Sequence, residues 1–293
     1  MGVRGVGGSG RVDLHLHSTV SDGLWSPTEL VRQAAVAGIA ILAVTDHDST
    51  AGVGPALAAG REVGVGVLPA VEVTAWWEGQ EFHVLGYGGD LNSSELQAFL
   101  AERRASRRRR VLKMLGRLSR EGLPLSEEVL EAREAGASWG RAHLAAALVA
   151  RGWVPNSQEA FRRYLAPGAA AYIPPEPFPP QEAIRSLRDA GAIPVLAHPV
   201  LHGVERRLVD LVEAGLQGLE CYHPQHSPPV VDYFLRQARR YGLIVTGGSD
   251  SHGPDLPGFE AVEVRESETA ELLRQPVLLQ SLQTSPWPPP VPD

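Results

Sequence analysis

Cysteine is almost missing from this 293-residue chain: Cys221 stands alone. A single thiol excludes an intrachain disulfide, and the cytoplasm is the compartment expected of such a chain. No run of about 18 apolar residues occurs, so neither a transmembrane helix nor a membrane partner is expected. The opening MGVRGVGGSG lacks the apolar stretch of a signal peptide. It also carries Val6 where a myristoylation signal needs Ser or Thr. Residues 1–10 are expected to form a flexible leader. No sequence repeat is apparent. An overall basic excess is lacking as well: the formal net charge is −7, which argues against a whole-surface nucleic-acid binder.

What is present reads as a globular protein. Hydrophobic residues make up 43% and charged residues 21%, enough for one large α/β domain or for a domain with an insertion. Charge is unevenly spread. Between Ala101 and Arg120 lie eight arginines and Lys113 against the single acid Glu102. Such a patch suits either a phosphate-bearing partner or a solvated helix face. The run Arg107, Arg108, Arg109 and Arg110 is expected to face solvent, because four consecutive positions point all round a helix.

The elements alternate. In RVDLHLHSTVSDG, Val12, Leu14 and Leu16 should share one face of a strand, with Asp13, His15 and His17 on the other. SPTELVRQAAVAG opens with an N-cap serine, proline in the first turn and Glu29 three residues on, which predicts a helix ended by Gly38. IAILAV is a buried strand running into TDHDST, and GPALAAGREVG a short helix. VLPAVEVTA and EFHVLGYG form a hairpin across WEGQ. From about Leu91 to Ala170 strand signals vanish, and four helices are expected: LQAFLAERRASRRRRVLKMLGRLSREG, SEEVLEAREAG, GRAHLAAALVARG and SQEAFRRYL. After the proline-rich YIPPEPFPP, helix and strand alternate again through IPVLAHP, GLECYHP and LIVTGGSDSHG. About seven strands alternating with helices imply a (β/α) barrel, discontinuous over 11–91 and 171–283, interrupted by a helical insertion at 92–170. The tail at 284–293, with its SPWPPPVPD run, should be flexible, extended or disordered.

Histidines fall at strand ends. His15 and His17 end the first strand, Asp46 and His47 the second, with Glu72 on the third and His83 on the return strand. His198, His223, Asp250 and His252 follow the later ones. Strand C-termini of a parallel barrel converge on one face, where active sites form. Only His143 lies on an expected helix; His202 and His226 lie in loops. His15, His17, Asp22, His47, Glu72, His83, His198, Asp250 and His252 offer nine ligands, more than one catalytic ion with an open position uses. Imidazoles and carboxylates without cysteine suit zinc, manganese or ferrous iron. Three carboxylates among three divalent ions leave a charge of about +3, suited to phosphate dianions and to a water deprotonated near neutral pH. Phosphate-ester hydrolysis follows more naturally than amide hydrolysis.

HLHSTVSDG, TDHD, Glu72, His83, AHP and SDSH, in this order, resemble the polymerase and histidinol phosphatase (PHP) family. Within it the chain looks most like the phosphatases of 3′,5′-nucleoside bisphosphates and the 5′→3′ exonucleases, which carry a helical insertion after the His83 strand. The resemblance implies a distorted (β/α)7 TIM-like barrel with a trinuclear centre. It places one ion on His15, His17, Glu72 and Asp250, a second on Glu72, His83 and His198, and a third on Asp22, His47 and His252. His15, His17, Glu72 and Asp250 would thereby be catalytic, a hydroxide bridging two ions attacking phosphorus. His223 is a candidate acid for the leaving alkoxide, or equally a histidine that orients a ligand.

In SWGRAHLA, Ser138, Arg141 and His143 surround a helix start that favours anions and are expected to bind substrate. The family commonly has proline where Ala142 stands. For Trp76 and Trp77, packing over the barrel mouth is favoured over stacking on a base. The expected partner is a phosphorylated small molecule, foremost a nucleotide, with short RNA or DNA oligonucleotides second and no obligatory protein partner. Rival readings are a histidinol-phosphate phosphatase, which shares the metal site, and a non-catalytic polymerase-accessory or nucleic-acid-binding protein. Loss of ligands would mark the latter, and all nine are present.

Overall fold

The computed structural model of the chain describes residues 10–127, 137–202, 207–254 and 258–283. The expected helix SEEVLEAREAG lies almost wholly outside the described residues, as do the leader before Gly10 and the tail. Strand β1 (Arg11–Leu16) pairs in parallel with β2 (Ile39–Val44), and β2 with β3 (Gly66–Trp77). Strand β4 (Gln80–Tyr87) runs antiparallel to β3 and to β5 (Ile193–Leu196). The parallel order resumes through β6 (Gly218–Tyr222) and β7 (Ile244–Gly247). An eighth strand beyond the seven expected, β8 (Val264–Arg265), pairs antiparallel with β1. The sheet nearly closes: Asp250 N donates to His15 O at 2.9 Å, and His17 N to Ser251 O at 3.0 Å. The result is a distorted TIM-like barrel.

Helices cover the outside. Helix α1 (Pro27–Val36) starts as its sequence dictates, with Ser26 Oγ accepting from Glu29 N at 3.2 Å. With α2 (Val53–Val63) it buries Leu30, Val31, Ala56 and Ala59 against Leu42 and Val44. Helices α6 (Pro180–Asp189), α7 (Leu208–Glu213) and α8 (Pro228–Tyr241) cover the other half. Between β4 and α6 come α3 (Ser94–Arg120), α4 (Arg141–Ala150) and the single turn α5 (Ser157–Ala160), which runs into a π-helical turn at Phe161–Leu165. The first turns of α3 bury Leu96 and Leu100 in the barrel's core. Its later half packs Val111, Met114 and Leu118 on Leu144 and Leu148 of α4, a core of its own. Each such large aliphatic side chain contributes about 1.5–3 kcal/mol when fully buried.

The interior is filled by Val12, Leu14, Ile41, Ala43, Leu68, Ala70, Leu85 and Tyr87, with Leu272 and Leu278 from α9 (Ala270–Leu273) and α10 (Pro276–Gln283). Tyr87 crosses it to donate to Leu14 O at 2.8 Å. The strict alternation expected of β1 does not hold. Its register shifts between Asp13 and Leu16, and Leu16 packs under α1 rather than with Val12 and Leu14. His15 and His17 nonetheless lie side by side, their rings 5.2 Å apart.

Candidate metal centre

Every strand from β1 to β5, together with β7, delivers a metal-ligand candidate to one face. His15 ends β1 and His17 follows it, while His47 follows β2, His198 follows β5, and Asp250 and His252 follow β7. Glu72 lies within β3. His83 sits near the start of β4, not its end, because β4 is antiparallel and its start lies on the same face; it pairs with Thr74 across the hairpin. Two of these residues have left-handed backbones that side chains rarely adopt, His198 at φ 26° and Asp250 at φ 53°. Such strain persists only where surrounding contacts impose it.

Glu72 is the hub. Its Oε1 lies 3.3 Å from His15 Nε2, 3.0 Å from His83 Nδ1 and 3.4 Å from His198 Nε2. Its Oε2 lies 3.2 Å from His17 Nε2 and 2.9 Å from His47 Nδ1. Asp250 Oδ1 is 3.1 Å from His17 Nε2 and 3.4 Å from His15 Nε2, and Asp22 Oδ1 is 3.3 Å from His252 Nε2. His15 Nε2, His17 Nε2, His47 Nδ1, Asp22 Oδ1 and both Glu72 oxygens are buried without a hydrogen-bond partner among the described residues. Lone pairs converging in this way fit divalent cations, since a buried polar atom without a partner costs about 1–3 kcal/mol.

All nine ligand candidates fall into four overlapping groups whose donor atoms lie within 4.8 Å of one another. These are His17, Asp22, His47 and His252; His15, His198 and Asp250; His15, His17 and Glu72; and His47, Glu72 and His83. Electrostatics agrees with a cation-binding role. Burial alone would raise the Glu72 carboxyl, but His83, His47 and His15 hold it well below the usual range. Asp22 is likewise held down against its burial, chiefly by His252 and His47, and Asp250 chiefly by His15. Burial works against protonation of His252 and His83, yet Asp22 pulls the first up to about 10 and Glu72 the second to about 9. The pocket holds an anionic charge that positive charge must balance.

Residues behind the ligands were harder to read from sequence. Glu220 on β6 is fully buried, accepting from His15 Nδ1 at 3.0 Å and from His198 N at 2.7 Å. It fixes the tautomer that leaves His15 Nε2 free toward the cluster. A buried acid inside the apolar GLECY was the available signal. Asp46, beside His47, accepts from Ser18 N, Ser18 Oγ and Ser21 Oγ at 2.8, 2.6 and 2.6 Å and holds the loop bearing Asp22. His223 Nδ1 accepts from Gln225 N at 3.2 Å, so a neutral ring carries its proton on Nε2, 3.6 Å from Asp250 Oδ2.

Six of the nine candidates, Asp22, His47, His83, His198, Asp250 and His252, floor a cavity of about 220 Å³ whose walls include Arg107, Arg110, Trp139, Arg141 and Phe161. Of the three expected substrate contacts, Arg141 lines this cavity. Ser138 and His143 do not line it. Ser138 is buried, its N–H donating to Val20 O at 2.8 Å. His143 Nδ1 accepts from Gly140 N at 2.8 Å and its Nε2 faces Ser21 O at 2.8 Å, joining α4 to the loop that carries Asp22. The expectation that Arg107 to Arg110 all face solvent is overturned for two of the four. Arg107 Nε donates to Asp48 Oδ2 at 2.5 Å and its Nη2 bonds Thr74 Oγ1, while Arg110 Nε donates to Ile173 O at 2.7 Å. A helix lying across the barrel mouth turns two adjacent-turn positions inward and leaves Arg108 and Arg109 about half exposed. Trp76 and Trp77 stay outside this cavity, Trp76 bridging Phe178 through paired backbone bonds and Trp77 packing near Phe82. The aromatic wall is Trp139 and Phe161, which sequence reasoning had not singled out.

Comparison with known proteins agrees with this geometry. The PHP domain model matches residues 13–137. Three curated relatives are each 34% identical: a 5′-3′ exoribonuclease of Haemophilus influenzae, a 3′,5′-nucleoside bisphosphate phosphatase of Chromobacterium violaceum and a phosphoribosyl 1,2-cyclic phosphate 1,2-diphosphodiesterase of Eggerthella lenta. The matches cover 83%, 84% and 82% of this chain and 90%, 89% and 94% of the relatives. A solved structure from Bifidobacterium adolescentis, assigned as a metal-dependent phosphoesterase, superposes with a TM-score of 0.83 at 33% identity, covering 89% of this chain and 95% of that one. No helix among the described residues is long and apolar enough to cross a membrane. With its buried imidazole and carboxylate cluster and relatives of matching length, the chain belongs to the PHP family of metal-dependent phosphoesterases.

Proposed function

We propose that this enzyme hydrolyses phosphate monoesters of nucleotides, 3′,5′-nucleoside bisphosphates foremost and short oligonucleotides second, at a centre of three divalent ions. One observation carries the reading: six of the nine ligand candidates, Asp22, His47, His83, His198, Asp250 and His252, line a single cavity with Arg107, Arg110 and Arg141 and with the Trp139 and Phe161 rings. That combination suits a scissile phosphate, a second anion and a planar base. A histidinol phosphate has no second anion to set against Arg110 and Arg141. The names of the bisphosphatase and exoribonuclease relatives support the same class.

His15, His17, Glu72 and Asp250 would hold one ion, with Glu72, His83 and His198, and Asp22, His47 and His252, around the others. Bound there, manganese, zinc or iron supplies an acidified water and charge on the phosphoryl oxygens. The chain's own residues do the positioning. Glu220 keeps the His15 proton on Nδ1, away from the ligand atom. Glu72 sits at the centre, its two oxygens within 3.4 Å of five imidazoles. Of the two roles open to His223, orienting Asp250 has the better support, since its ring is buried behind that carboxylate. Arg141, 23% exposed at the start of α4, is placed to grip an incoming phosphate. The insertion at 92–170 thus supplies the substrate wall and the barrel the ligands.

The test is phosphate release from 3′-phosphoadenosine 5′-phosphate with manganese, run beside histidinol phosphate and a ribose 1,2-cyclic phosphate. Chelator-sensitive release from the bisphosphate, at least about ten-fold faster than from the others, is expected. Preference for either competitor would overturn the proposed substrate class.

A further inference from the structure

One acid in the cavity wall stands where an anion-binding site should have none. Glu81, on β4 two residues before His83, is 24% exposed and faces the cavity. Both its carboxylate oxygens lie 3.3 Å from Arg141 Nη2. Arg110 Nη1 lies 3.6 Å from Oε2, and His83 Nε2 lies 3.3 Å from Oε1. The three partners come from separate segments, the middle of α3, the first residue of α4 and β4, so no single helix face explains the convergence. Arg110 is only 12% exposed and is anchored through Nε, while its Nη2 is buried without a partner among the described residues. Two guanidinium groups therefore cup one carboxylate beside the metal ligands.

We propose that Glu81 is a built-in counter-anion, occupying at rest the subsite formed by Arg110 and Arg141 until the substrate's second, non-reacting phosphate displaces it. The inference rests on the bisphosphate reading for its natural substrate, though not for its test. A carboxylate carries one charge and a terminal phosphate nearly two, so a phosphate monoester outcompetes Glu81 for two arginines. A carboxylate or a phosphodiester, each singly charged, has no such advantage. Glu81 thereby selects ligands ending in a free phosphate and lowers apparent affinity by the fraction of time it fills the subsite. If that fraction is about nine-tenths, removing its charge tightens binding about ten-fold.

The experiment is titration calorimetry on the full-length, manganese-loaded protein with two ligands that cannot be hydrolysed, propane-1,3-bisphosphonate and propylphosphonate. Glu81→Gln keeps the side chain's shape and removes its charge. The bisphosphonate is expected to bind about ten-fold more tightly to Glu81→Gln than to wild type, with a smaller change for propylphosphonate. The gain should vanish when Arg141→Ala is added, as coupled residues require. Weaker or unchanged bisphosphonate binding would mean that Glu81 merely braces the arginines, and the proposal fails. An equal gain for both ligands would reduce it to a general charge near the metals, and the proposal fails again. Should Glu81→Gln lower the melting temperature, Glu81→Ser must give the same sign. Failure of wild-type protein to release phosphate from the nucleotide would count against the proposed function and leave this comparison intact.

Discussion

Replacing Glu220 by glutamine removes one charge and preserves shape, at a residue with no place among the ligands. Glu220 Oε1 accepts from His15 Nδ1 at 3.0 Å while Oε2 accepts from His198 N at 2.7 Å. Burial by itself would raise its carboxyl, but His15 holds it below the usual value, so it is anionic. Glutamine has one acceptor oxygen for these two donors. If that oxygen keeps His198 N, the amide NH2 meets His15 Nδ1, which must then accept. The His15 proton moves to Nε2, the atom that faces Glu72 and Asp250. If the oxygen keeps His15 instead, the NH2 opposes the His198 N–H.

Either way one charge-assisted bond is lost, at a cost of about 1.5–3 kcal/mol. Since 1.4 kcal/mol is a factor of ten, the loss matches the roughly 10–100-fold drop in metal affinity typical of residues that orient ligands. The assay is competition for manganese against a chromophoric chelator, with thermal unfolding of the metal-free protein alongside. Affinity within two-fold of wild type would refute the argument that Glu220 sets the His15 tautomer.

Two further outcomes follow from packing. Arg107→Ala strands the Asp48 carboxylate, 1% exposed, and also removes the bond to Thr74. Breaking a buried pair from one side costs about 3–5 kcal/mol, and Thr74 N still donates to Asp48, so about 3 kcal/mol is expected in denaturant melts. A change under about 1 kcal/mol would show that the Arg107–Asp48 pair does little to hold α3 on the barrel. Cys221 is fully buried and its thiol is pushed well up, first by burial and then by Glu220. A disulfide reagent should leave it unlabelled for hours in native protein and label it at once in denaturant; rapid native labelling would contradict its burial.

The chemistry of the site was legible early because ligand types and strand ends are local properties. HLH, DHD, AHP and SDSH each sit where an apolar run stops, and the fold brings all nine named ligand candidates together. Supporting residues were harder to find. Glu220 looks in sequence like an acid in a strand, and only its distance to His15, 205 positions away, shows its use. The regular alternation of β1 failed for a similar reason: a register shift at Asp13–Leu16 depends on partner strands, not on β1 itself.

Sequence alone therefore determined the ligand candidates, the barrel of alternating elements and the change to helices after β4, since periodicity and residue chemistry act over short stretches. Tertiary structure decided which arginines face inward, that His143 braces a loop while Arg141 meets the cavity, and that Glu81 meets Arg110 and Arg141 beside the ligand candidates. Those outcomes depend on the angle at which α3 and α4 cross the barrel mouth. Packing between distant segments sets that angle, and no single stretch of sequence encodes it.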